Sequence, residues 1–314
     1  MKLNFLYLTY FIFILVSFSC KDNFNPKAPF KEQYVLNCIV RGDSTAQIAT
    51  LSKTYDVTGF DPNSNNIDPS ISGAQVYLKW NGTLYQLRDS SIARTDTSRY
   101  KDPIKFYYTN AIKPAANDSL EIMAIPVPGV LLSSKTKVPY FVSFGTSPYI
   151  IQGDEIALDY GWTAHDLNDY YLPQMKILYQ KRNESPTVTH TFIVPLDYVT
   201  VNGVETPVYP TVSPAPGIEF LRSNIDRALL QVSNGDDKSN YKFLWIDFEL
   251  LVFDQFLAGY ISTTNGFLDN LSIRLDEPNY TNINGGLGIF GAYVYNVFQI
   301  SLYDQYLESL GYTP

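Results

Sequence analysis

The sequence predicts an all-β protein of two β-sandwich domains, the first immunoglobulin-like and the second carrying a short inserted helix. Three observations lead there. From Gln33 onward, apolar and polar residues alternate with the period of a strand. The alternating segments are short and are separated by clusters of Gly, Pro, Asn and Asp, as in sandwich folds. The chain is also 15% aromatic and holds 25 tyrosines, a residue suited to pleated, half-buried strands.

The first domain is expected over residues 32–139. Tyr34 to Val40 alternates like a strand and contains Cys38. Ala74, Val76, Leu78 and Trp80 fall on one face of a segment that ends at Asn81-Gly82. Thr83 to Leu87 then resumes, which is the pattern of two strands joined by a type I′ turn. Further strands are expected at 47–52, 104–109, 119–125 and 130–138. The second domain, 140–314, is expected to hold strands at Glu155–Trp162, Tyr170–Gln180, Val188–Val194, Lys242–Phe253 and Gly291–Leu302. Residues 202 to 217 contain Pro207, Pro210, Pro214 and Pro216 and are expected to form a long loop. Asp254 follows an apolar strand and can cap a short helix near 254–264, because its carboxylate can accept from the open N–H groups of a first turn.

The start of the chain has a separate logic. Lys2, the apolar run Leu3 to Phe18 and the small residue Ser19 make a leader that ends at Cys20. The run is shorter than the roughly 20 residues that a membrane-spanning helix needs. A leader ending in Ser-Cys resembles a bacterial lipoprotein signal, although Ser17 stands where Leu is usual. The resemblance implies removal of residues 1–19 and a covalent lipid on Cys20. Residues 20–31, with Pro26 and Pro29, then read as a tether.

Composition narrows the function. The formal net charge of −8 becomes −9 once Lys2 is removed with the leader. An acidic chain without a basic run is a poor nucleic-acid binder. With Cys20 lipidated, Cys38 has no disulfide partner, and nothing basic beside it lowers its pKa. It reads as a small buried apolar residue.

Several motifs bear on chemistry. Gly286-Leu287-Gly288-Ile289-Phe290-Gly291 matches G-x-G-x-x-G, but a dinucleotide site needs a strand before it and a helix after it. The flanks here are loop-like and then strand-like. Gly285, Gly286, Gly288 and Gly291 therefore read as a structural turn that needs positive φ or close backbone approach. Asp61, Asn63 and Asn65 place hard oxygen ligands at alternate positions, as in the front half of a calcium loop. Position six is Asn66 rather than Gly, and position twelve is Ser72 rather than Glu. A polar loop is the expected reading, with a weak calcium site as its alternative. Asp154, Glu155, Asp159, Asp166 and Asp169 read as a solvated acidic rim. No serine-nucleophile elbow is present, and His165 and His190 are too few for a zinc site. No catalytic residue, metal site or cofactor other than the lipid is expected.

One resemblance covers nearly the whole chain after Cys20. It rests on Ser19-Cys20-Lys21-Asp22, Tyr34 to Val40, Ile71 to Val76, Asp169-Tyr170-Tyr171 and, above all, Asn282-Ile283-Asn284-Gly285-Gly286-Leu287-Gly288-Ile289-Phe290-Gly291-Ala292-Tyr293. These resemble a Bacteroidota family of outer-membrane lipoproteins of unknown function, often encoded beside TonB-dependent receptors. The resemblance implies a lipid-anchored protein of the outer membrane, and Lys21 and Asp22 favour the cell exterior. The expectation is a non-enzymatic lipoprotein that docks on an outer-membrane β-barrel, a TonB-dependent receptor in particular. The alternative is a surface carbohydrate- or polymer-binding lipoprotein, which requires solvent-facing Tyr or Trp in a row. A hydrolase would require His165 or His190 beside a Ser and an Asp.

Overall fold

A computed structural model describes residues 29–59, 61–144, 157–263 and 280–313. Cys20, the leader and most of the tether lie outside these residues, as do Asp154 and Glu155. The first half supplies β1 (Tyr34–Arg41), β2 (Gln47–Lys53), β3 (Gln75–Trp80), β4 (Thr83–Gln86), β5 (Arg88–Ile92), β6 (Ile104–Thr109), β7 (Ser119–Ile125) and β8 (Leu132–Lys137). The second half supplies β9 (Ala157–Gly161), β10 (Tyr170–Lys181), β11 (Thr189–Val194), β12 (Asp197–Val201), β13 (Val204–Val208), β14 (Gly217–Leu221), β15 (Tyr241–Phe253) and β16 (Phe290–Ile300). Three helices, α1 (Arg222–Ser233), α2 (Gln255–Thr263) and α3 (Asp304–Ser309), accompany them. The fold is all-β, and its sheets stack as sandwiches.

Alternation sets the layers. Along β15, Ile246, Phe248, Leu250 and Val252 are fully buried on one side. Val76 and Leu78 of β3 are likewise buried. The turn between β3 and β4 has φ of 49° at Asn81 and 78° at Gly82, the backbone that a type I′ turn requires. The sheet β4-β3-β7-β8 packs through Val76, Leu78, Leu120 and Ile122 on a core shared with Leu36, Cys38, Val40 and Leu51. Cys38 is fully buried, and that burial pushes its thiol up to about 12.

The expected boundary at Pro139 divides the chain but not the sheet. One eight-stranded sheet runs β11-β10-β15-β16-β1-β2-β6-β5, so four of its strands come from each half. Residues Gln33–Pro314 form one compact unit. The seam is the parallel pair β1–β16, in which Cys38 faces Phe290 and Arg41 faces Tyr293. Pairing between residues so far apart in the chain leaves no local trace, so alternation alone points to two separate sandwiches.

Candidate functional site

One exposed structured feature is the two-stranded ribbon of β12 and β13. Its turn is Asn202-Gly203, with φ of 51° and 79°, closed by the pair Val201–Val204. Residues 202 to 208, expected within a long loop, therefore form half of a hairpin. Pro207 is tolerated because it lies on an edge strand, where no ladder N–H is needed.

Side chains alternate between the two faces of the ribbon. Tyr198 and Glu205 face α1. There the Arg227 guanidinium lies 3.6 Å from the centre of the Tyr198 ring and donates to both oxygens of Glu205, at 2.5 and 3.3 Å. The Tyr198 hydroxyl donates to Gln231 at 3.0 Å. The opposite face presents Val199, Val201 and Val204, which are 43%, 50% and 66% exposed. Both outer edges of the ribbon are without ladder partners among the described residues. An apolar strip beside open backbone donors and acceptors is a surface suited to pairing with another chain.

A second feature lies at the N-terminus of α2. A cavity of about 90 Å³ is lined by Lys137, Tyr140, Asp166, Asp169, Asp254 and Phe256, among others. Asp254 caps the helix as its position suggests, with Oδ1 accepting from the Leu257 N–H at 2.8 Å. Its other oxygen accepts from the Thr136 hydroxyl on β8. Burial pushes the Asp254 carboxyl up to about 6 despite these bonds. Asp169 is also pushed up to about 6, first by burial and then by the nearby charge of Asp166. Asp166, at the rim, is held below the usual range by the Asn168 N–H and by Lys137. Of the acids expected on a solvated rim, Asp159 is exposed on β9, whereas Asp169 faces inward and is only 7% exposed. The arrangement makes a helix cap beside a desolvated acid, and no nucleophile–base pair is among its lining residues.

The glycine segment has a structural role. Gly285 and Gly288 have φ of +84° and +113°. A Cβ at Gly288 would sit 2.1 Å from the Leu36 carbonyl oxygen, and one at Gly286 would sit 2.6 Å from that of Tyr34. The segment runs beside β1, with Leu36 N–H donating to Leu287 O at 2.9 Å and Cys38 N–H donating to Ile289 O at 2.8 Å. The buried Asn37 side chain accepts from the Ile289 N–H at 3.0 Å. At Gly291 a Cβ would meet Leu257 at 2.7 Å, so that glycine lets α2 pack on β16. All four glycines thus serve close backbone approach.

In the Asp61–Asn65 loop, the oxygens already have partners. Asp61 accepts from the Asn63 N–H and Asn65 from the Ile67 N–H. The Arg99 guanidinium donates to Asn63 Oδ1, Pro62 O and Asn65 O. An arginine thus stands where a cation would be drawn, and among the described residues no three His, Cys, Asp or Glu side chains group as a metal site. His190 meets Glu184 at 2.6 Å and stacks on Tyr179, while His165 is exposed beside Tyr140. Helix α1 is absent from the sequence-based expectations, though Ile225, Ala228, Leu229 and Val232 recur at helical spacing and Asn234-Gly235 is a stop signal.

Residues 21–298 match the domain of unknown function DUF4249. The chain belongs to that family. Its match begins one residue after Cys20 and runs through the glycine segment and most of β16. Both the ribbon and the α2 cavity therefore lie within the family domain. No curated protein matches the chain.

Proposed function

We propose that this protein is a non-enzymatic lipoprotein of the outer membrane, anchored through Cys20 and facing the cell exterior. In this reading it docks on an outer-membrane β-barrel as an accessory of a TonB-dependent transporter. The observation that carries it is the ribbon, whose valine strip and open edges are held out by a backing of Arg227, Tyr198 and Gln231. Anchoring restricts the search to the membrane plane and raises the effective concentration near a barrel. A modest contact at the ribbon is then enough. The family match starting at Lys21 supports a leader that ends just before it.

The carbohydrate-binding alternative finds less support. Trp162 is buried and Trp80 and Trp245 are half-buried. Among the described tyrosines, only Tyr209 and Tyr303 are exposed. Purification of the full lipidated chain from mild detergent tests the docking account. It predicts recovery of a β-barrel with the wild type and its loss with Val199→Thr/Val201→Thr/Val204→Thr. Equal recovery by both chains, or by neither, contradicts it.

A further inference from the structure

We propose that the end of the body where the tether enters is a lipid-facing surface that holds the body upright on the bilayer. The inference rests on the reading that Cys20 carries lipid, and it adds which face meets the membrane.

Sheet register identifies this end. The chain enters at Gln33 and begins β1 at Tyr34, which pairs with Lys53 at the close of β2. The Lys53 N–H donates to Pro69 O at 3.2 Å, which brings the segment after Ile67 to the same end. Ile92 and Ile104, the last residue of β5 and the first of β6, face one another there. The turn from β7 to β8 also lies there, because Ser133 pairs with Asn284 and Leu287 donates to Tyr34.

Five large apolar side chains are exposed on this end. They are Ile67 at 74%, Ile92 at 59%, Leu131 at 56%, Val127 at 42% and Ile104 at 39%. Its loops differ from the rest of the chain in charge. Residues 53–71 and 92–105 together carry five carboxylates and five cations, and residues 126–131 carry none, whereas the whole chain is at −8. An apolar surface without net charge, on an otherwise acidic protein, is suited to the headgroup–acyl boundary, where apolar burial is gained and headgroup repulsion is absent.

The tether determines the occupant. From Cys20 to Gln33 it spans at most about 45 Å when fully extended. A leash of that length holds this end near the bilayer but leaves the body free to tilt. Shallow insertion of Ile67, Val127 and Leu131 would remove that freedom.

The test uses the full lipidated chain in phosphatidylcholine vesicles containing nitroxide-labelled lipid. An environment-sensitive fluorophore is placed at Leu131→Cys, Ile67→Cys or Val204→Cys, while the buried Cys38 stays unlabelled. Quenching by the nitroxide lipid should be severalfold greater at Leu131 and Ile67 than at Val204, and iodide access the reverse. Equal quenching at all three positions, in protein that floats with the vesicles, overturns the lipid-facing end and leaves the anchor standing. Protein that fails to float and keeps an unmodified Cys20 thiol overturns both. Two independent positions guard against a variant that folds poorly.

Discussion

Gly288 and Gly203 both hold a positive φ, +113° and +79°, but their surroundings have nothing in common. Gly288 lies against the backbone of β1, where a Cβ would overlap the Leu36 carbonyl. Gly203 tips the ribbon, and a Cβ added there would meet nothing within 4 Å. One glycine belongs to the seam that joins the two halves of the chain into one sheet. The other belongs to a structure held out from the body on a few polar contacts. The same backbone requirement therefore serves assembly of the fold in one place and display of a surface in the other. The seam should be costly to change and silent in docking. The ribbon should be cheap to change and decisive for docking.

The largest effect is expected at the seam. Gly288→Ala combines an unfavourable backbone with a steric overlap, so it should cost about 3 kcal/mol or more in denaturant unfolding, or prevent folding. Gly203→Ala carries the backbone penalty alone and should cost about 1–2 kcal/mol. Similar costs at the two positions would erase the comparison.

The α2 cavity tests the same seam from its other side, since Asp254 donates its N–H to Ala292 on β16 at 3.0 Å. Asp254→Ala removes the helix cap and leaves the Thr136 hydroxyl without its acceptor, at a cost of about 2 kcal/mol. Asp169→Asn should act in the opposite direction. Its folded carboxyl, at about 6, stands above the value of about 3.9 for an unfolded aspartate. Between those values the folded state binds more protons, so its stability falls as pH rises through the window and stays lower above it. The variant should therefore be more stable than wild type by about 3 kcal/mol at pH 7.5. The gap should close as pH falls from about 6 to about 4. A gap that persists below pH 4 would contradict this account of Asp169. The smallest stability effect, within about 0.5 kcal/mol, is expected for Val201→Thr with Val204→Thr on the exposed face of the ribbon.

Much of the fold is legible in the sequence because strands announce themselves locally. β6 and β7 begin and end where alternation places them, and Asp254 caps its helix because an acid after an apolar strand has few other roles. The β1–β16 seam is not legible, since a parallel pair between Cys38 and Phe290 has no local signature. The ribbon is legible in principle. Asn202-Gly203 carries the same turn signal as Asn81-Gly82, but the four prolines that follow outweigh it, although Pro207 can sit on an edge. The glycine segment shows its role through composition, while its partner, the β1 backbone, leaves no mark in any pattern. Asp169 looks like surface because its neighbours are acidic; only packing turns it inward.

The most direct test of the docking claim is a photo-activated crosslinker placed at Val204 in the full chain and irradiated in intact cells. The account predicts one dominant adduct containing an outer-membrane β-barrel, absent when the crosslinker sits instead at Lys181 on the far end of β10. No adduct at Val204, or the same adducts from both positions, would contradict it.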